Sequence, residues 1–278
     1  MSVQWIESIP AKVGDQVRLI VLGDVVGRPG RAALRNFLPE LRQRLVADCV
    51  VVNGENAAGG AGIDQKTAAE IKAAGADVIT LGDHAFQRKG SSELLDSNGA
   101  WCIRPSNLPK DTTPGSGSLT LTLANGAKIA VINLLGRTFI SSQASCPFRE
   151  LDRWLDGLKG EQGIITICDL HAEATSEKWA MARHTDGRLS LLVGTHTHVQ
   201  TSDAQILPGG TAYITDLGMT GCHGGVIGMD NKVALHRFLS PRPAPYEIAE
   251  GIGTLSGIVV DLDRHSGKAK AIYTLRPS

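Results

Sequence analysis

The feature that most constrains this chain is a recurrence of short, β-branched apolar runs, each closed by glycine or a polar residue. They are VRLIVLG at 17–23, CVVVNG at 49–54, DVITLG at 77–82, IITIC at 164–168 and LSLLVG at 189–194. Runs this short and this continuously apolar read as strands buried on both faces. Helical patterns separate the first three. One starts at Pro29 and spaces Leu34, Phe37, Leu38, Leu41 and Leu45 along one face; another covers residues 67–74. Strand, helix, strand implies crossover connections and therefore a parallel sheet.

The middle of the chain has a different period. SLTLTLANGAKIAVINLL alternates apolar and polar residues around Asn125-Gly126, a strong hairpin signal, so antiparallel strands join the system. PFRELDRWLDGL from Pro147 is an amphipathic helix with proline at its start, and SEKWAMARH from Ser176 offers that serine as an N-cap. A second hairpin closes the chain, TLSGIVVDLD and AKAIYTL about a turn at His265-Ser266-Gly267. Mixed strands with helices outside predict two stacked sheets flanked by helices. PKDTTPGSGS from Pro109 reads as a surface loop, so residues 17–278 are expected to form one domain behind an extension at 1–16.

Chemistry gathers where the apolar runs stop. Gly23-Asp24, Asn53-Gly54-Glu55-Asn56, Gly82-Asp83-His84, Asp169-Leu170-His171 and Gly194-Thr195-His196-Thr197-His198 each deliver ionisable or amide side chains. The carboxyl ends of parallel strands share one edge, so these groups can converge. Carboxylates and imidazoles without thiolates suit manganese, iron or zinc. The donors outnumber what one tetrahedral ion with an open position can use, whereas two ions sharing a carboxylate would use them all. Each residue also has a blander reading: Asp24 could cap the helix at Pro29, Glu55 could be a loop residue, and His171 alone would more often be a core or surface histidine. The His196/His198 pair is harder to dismiss, because a one-residue spacing at a glycine-opened turn lets both rings share one space. The glycines of GDVVGRPGR do not make G-x-G-x-x-G, which argues against a dinucleotide fold and leaves Arg28 and Arg31 either as phosphate contacts or, more simply, as solvated residues of a helix start.

Composition narrows the partners. Lys+Arg and Asp+Glu number 28 each, so no global positive field holds long nucleic acid. Five widely spaced cysteines with no C-x-x-C pattern argue against a disulfide framework and fit a reducing cytoplasm. The N-terminal residues lack a signal-peptide pattern, and no run reaches membrane-spanning length, so a soluble protein without membrane partners is expected.

The motifs GDVVGRPG, NGENAAGGAGI, GDHAF, RPSNLP, GRTF, DLHAEATSEK, GTHTHVQTSD and DLGMTG, in that order, resemble the bacterial YmdB-like branch of the calcineurin-like metallophosphoesterases. The resemblance runs from about Leu19 to the C-terminal strands. It implies a four-layer αββα sandwich, a dinuclear iron or manganese centre, a homo-oligomer, and phosphodiesterase activity on small, particularly cyclic, nucleotides. By motif it implies Asp24 and His198 on a first metal, Glu55 bridging, and Asp83, His171 and His196 on a second. Asn56 would lie beside the bridge, and His84 would face the substrate and protonate the oxygen that leaves after attack by a metal-bridging hydroxide. Asn107 and Arg137 stand either as phosphate or nucleotide contacts or as loop anchors, and Asp216 as a supporting residue rather than a ligand. The family usually has asparagine before the substrate-side histidine, where this chain has Asp83, and this chain carries extra residues ahead of its first strand. Two other readings stay open on ligand chemistry alone: a metal hydrolase acting on another bond, such as an amide, and a nucleotide sensor with slow turnover.

Overall fold

The computed structural model of the chain describes residues 9–98, 101–161 and 163–276. In chain order the elements are β1 (Gln16–Leu22), β2 (Asp24–Val25), α1 (Gly27–Leu45), β3 (Cys49–Asn53), α2 (Gln65–Ala73), β4 (Val78–Thr80) and α3 (Ser91–Asn98). There follow β5 (Ser118–Thr122), β6 (Lys128–Leu135), α4 (Pro147–Gly157), β7 (Ile164–His171), α5 (Thr175–Thr185) and β8 (Leu191–Thr195). The last are β9 (Gln205–Ile206), β10 (Ala212–Ile214), β11 (Met219–Thr220), α6 (Asn231–Leu239), β12 (Gly257–Asp263) and β13 (Ala269–Leu275).

Two large mixed sheets result. One has the order β13-β12-β1-β3-β4, with β1, β3 and β4 parallel and β12 antiparallel to both of its neighbours. The other has the order β5-β6-β7-β8-β10-β9, with a parallel centre and antiparallel edges. A short pair, β11-β2, forms a third.

Side chains explain why the strand runs are continuously apolar. Ile20, Leu22, Val50 and Val52 pack with Leu34, Leu38 and Leu41 of α1, while Val17, Leu19, Val21 and Val51 pack with Val131, Ile167 and Val193 of the other sheet. Ile132, Leu134, Cys168 and Leu170 then face Leu151 of α4 and Met181 of α5. Successive residues of one strand thus serve two different cores. Each buried branched side chain is worth roughly 1.5–3 kcal/mol, so a one-residue slip that exchanges the faces is strongly disfavoured.

The Asn125-Gly126 hairpin forms as expected, with Gly126 at φ 83° and its amide bonded to the Leu123 carbonyl. Helix ends differ from the sequence reading. α1 starts at Gly27, two residues before Pro29, and its N-cap position is Val26, so Asp24 caps nothing. α2 spans Gln65–Ala73 with Asp64 as cap. α5 is preceded by Ala174 without a side-chain cap, which puts Ser176 inside the first turn rather than at the N-cap. Of the expected extension, residues 1–8 lie outside the described residues. Residues 9–15 carry no helix or strand, although Ile9 is buried against the first core and Lys12 pairs with Asp48 at 2.8 Å. Gln16, assigned to the extension, instead opens β1 opposite Asp263. All five cysteines are free. Among the described residues no helix is long and apolar enough to cross a membrane.

Candidate metal centre

The parallel strands of both sheets end at a common edge, and the residues after them meet there. Glu55, Asp83, His171 and His196 each present one donor atom, and these atoms all lie within 4.8 Å of one another. At their centre is His171 Nε2, 3.2 Å from Glu55 Oε1, 3.1 Å from Asp83 Oδ1 and 2.9 Å from His196 Nδ1. Asp24 and His198 adjoin this group, with Asp24 Oδ1 at 3.8 Å from His171 Nδ1 and 3.9 Å from His198 Nε2. The Asn56 amide lies between His198 Nε2 and His84 Nδ1, at 3.2 Å from each. His84 sits at the rim, its Nδ1 3.3 Å from Glu55 Oε1 and its side chain 28% exposed.

Several observations fit a cation. Asp24 is fully buried, yet among the described residues its Oδ1 has no hydrogen-bond partner. A buried carboxylate oxygen is costly unless something positive completes it. Gly82 supplies a cradle: a Cβ there would lie 2.1 Å from Glu55 Oε2 and 2.4 Å from His171 Nε2, so only a bare Cα lets the two approach. The ionisations agree. Burial pushes Asp24 up to about 6. Burial also opposes charge on Glu55, but His171 outweighs it and holds Glu55 well below the usual carboxylate range. His171 is driven well above its ordinary value, against its burial, by Glu55 and Asp83. His196 is lowered by burial and by the His171 charge. Asp24 and His171 are thus shifted toward holding protons that a metal would displace. Oxygen and imidazole donors without sulfur suit a borderline divalent ion.

The turn carrying His196 and His198 is strained and anchored. Both histidines have positive φ, 105° and 64°, which is uncommon for residues with a Cβ and costs on the order of 1–3 kcal/mol each. Asp216 accepts from the Thr197 amide between them at 3.1 Å and from Lys178 Nζ at 2.7 Å, both members of that ion pair being buried. His198 Nδ1 lies 2.9 Å from the Ile227 carbonyl, which leaves Nε2 facing inward.

Two sequence candidates are not brought into the cluster. The Asn107 amide group donates to the Leu135 and Ser145 carbonyls, and its oxygen accepts from the Leu135 amide, as a loop anchor would. Arg137 is exposed on a loop whose amide bonds Glu177. Other residues were missed. Glu173 Oε2 lies 3.1 Å from His196 Nε2. Lys178 carried a readable signal, because it shares the spacing of Met181, Ala182 and Thr185, the buried face of α5.

Residues 20–275 match the family described as YmdB-like protein. The chain is 44% identical over 256 residues to the 2′,3′-cyclic-nucleotide 2′-phosphodiesterase of Bacillus subtilis (strain 168), covering 92% of this chain and 95% of the relative. Among solved structures it is similar to a hypothetical protein from Thermus thermophilus, with TM-score 0.84 and 39% identity over 93% of this chain and 98% of that one. It is also similar to a protein of Mycoplasma pneumoniae described as a novel phosphatase, with TM-score 0.88 and 33% identity over 95% of this chain and 94% of that one.

Proposed function

The chain belongs to the YmdB-like family, and on that premise we propose that it is a metal-dependent phosphodiesterase hydrolysing small, cyclic nucleotide phosphodiesters. The observation that carries the reading is the buried, unpartnered Asp24 oxygen beside a ring of carboxylate and imidazole donors. The phosphodiesterase activity of the Bacillus subtilis relative supports the reaction type.

Asp24 and His198 would hold one ion, Asp83, His171 and His196 a second, and Glu55 both, with iron or manganese as the metal. When bound, such ions lower the pKa of water and neutralise phosphoryl oxygens. The chain supplies the rest. His84 is raised from its ordinary value by its hydrogen bond to Glu55, against burial, which favours a proton at the rim for the leaving oxygen. Asn56 holds His84 and His198 in register from a single amide. We also infer that the domain that opens with β1 at Gln16 is a four-layer αββα sandwich, supported by three separate cores, the middle one shared by both sheets. A homo-oligomer belongs to the same reading, supported by Leu235, Phe238 and Leu239, which expose an apolar stripe on α6.

The test is metal analysis of purified protein together with a panel of 2′,3′-cyclic and 3′,5′-cyclic monophosphates and bis-p-nitrophenyl phosphate. Two ions per chain are expected, with activity lost on chelation and restored by manganese or iron. Full activity in metal-stripped protein refutes the reading.

A further inference from the structure

Beneath the candidate ligands lies a buried polar group that the proposed reaction does not use directly. Asn53 and Thr80 come from one sheet, Asp169 and Thr195 from the other, and all four are at most 2% exposed. Their hydrogen bonds can be assigned in order. The Glu55 amide donates to Asn53 Oδ1 at 3.1 Å, which fixes the orientation of that side chain. Its NH₂ therefore faces Asp169 Oδ2 at 3.0 Å and Thr195 Oγ1 at 3.3 Å. Thr80 also donates to Asp169 Oδ2. Asp169 is thus the acceptor of the group, and the Thr195 hydroxyl, 2.7 Å from Asp169 Oδ1, gives it its only proton. Thr195 Oγ1 can then only accept from its remaining neighbour, His171 Nδ1 at 2.9 Å.

We propose that Asp169 and Thr195 form a relay that fixes the neutral His171 proton on Nδ1 and so presents the Nε2 lone pair to the ligand cluster. Both are positioning residues, acting through His171. The inference rests on the metal reading above, because only a cation requires a lone pair at Nε2. The four side chains are at most 2% exposed, and the other acceptor near His171 Nδ1, Asp24 Oδ1, stands 3.8 Å away, beyond hydrogen-bond distance. Partners behind a ligating histidine commonly matter ~10–100-fold in metal affinity.

The test titrates metal-free protein with Zn²⁺ by calorimetry and reads the His171 ring by ¹⁵N–¹H correlation in the Zn²⁺-loaded protein. In the wild type, the His171 proton is expected on Nδ1. Thr195→Val should weaken one of two Zn²⁺ sites by ~10–100-fold and leave the other unchanged, and Thr195→Ser should restore it. Asp169→Asn places an NH₂ where Oδ1 stands, turns the Thr195 hydroxyl toward His171 and forces the ring proton to Nε2, so its loss should exceed that of Thr195→Val. A wild-type ring without a proton on Nδ1 overturns the relay, even if no variant folds. Wild-type affinity in Thr195→Val, or equal weakening of both sites, also overturns it. Wild-type protein that binds no Zn²⁺ overturns instead the metal reading on which it rests.

Discussion

Replacing Lys178 by methionine isolates what the buried Lys178–Asp216 pair does for the histidine turn. The ammonium is 2.7 Å from Asp216 Oδ2, and neither side chain is more than 1% exposed. Methionine fills the same passage past Gly194, where a Cβ would come within 2.8 Å of the lysine Cδ. The carboxylate then keeps only the Thr197 and Gly218 amides, at 3.1 and 2.8 Å. Two neutral donors do not balance a charge removed from water, and breaking such a pair from one side typically costs ~3–5 kcal/mol. For a chain of this length that lowers Tm by roughly 5–9 °C. Asp216→Asn in the same background removes the stranded charge and keeps one acceptor for the amides, so the double variant should be more stable than Lys178→Met alone. Urea denaturation of the four metal-free proteins, followed by tryptophan fluorescence, gives the coupling as a double-mutant cycle. The His196 and His198 backbones are strained and depend on this anchor, so metal content of Lys178→Met should fall as well. A cost below ~1 kcal/mol, the range of an exposed pair, or strictly additive singles, refutes the reasoning.

Three further outcomes follow from the site. His84→Ala should slow cyclic-nucleotide hydrolysis by ~10²–10⁴-fold but bis-p-nitrophenyl phosphate hydrolysis far less, with metal content intact, because a ribose alkoxide needs a proton and p-nitrophenolate does not; equal losses would remove the proton-donor role. Gly82→Ala should fold yet lose metal, since its methyl would overlap Glu55 and His171, and metal analysis showing full occupancy would contradict that geometry. In metal-free protein Asp24 is pushed up to about 6 chiefly by burial and His171 is held well above its ordinary value by Glu55 and Asp83 against burial, so as pH falls both increasingly carry protons that a cation must displace. Metal affinity should therefore rise with pH, most steeply below about 6. Calorimetry in buffers of different ionisation enthalpy counts the protons released, and a pH-independent affinity with no release would be the contrary result.

Much of this protein is legible before any coordinates. The β-branched runs announce their own strands because residues alternating between two cores leave no polar face, and Ile20 and Val21 illustrate it by packing into different layers. Asn125-Gly126 announces its hairpin because a tight turn needs a residue at positive φ. Donor chemistry and position at strand ends are both local properties, so carboxylates and histidines, among them Glu55, Asp83, His171 and His196, could be picked out as candidates that converge, while the division of ligands between two ions came only from the family resemblance. Helix ends were less legible. Val26 and Ala174 occupy N-cap positions with no capping side chain, so no local signal marked them, and Ser176 offered a false one.

Only the tertiary structure decided what lies beside what. The C-terminal β12 inserts next to β1, a pairing between residues more than two hundred positions apart that no local pattern encodes. The same long-range packing turned Asn107 into a loop anchor and left Arg137 on the surface. It also buried Lys178 against Asp216 and set Asp169 and Thr195 behind His171. A polar side chain's role depends on which donor or acceptor the other elements bring within about 3 Å. That distance is set by how two sheets and their helices pack, so sequence could name the groups that meet at this edge, while only the packing could assign their partners.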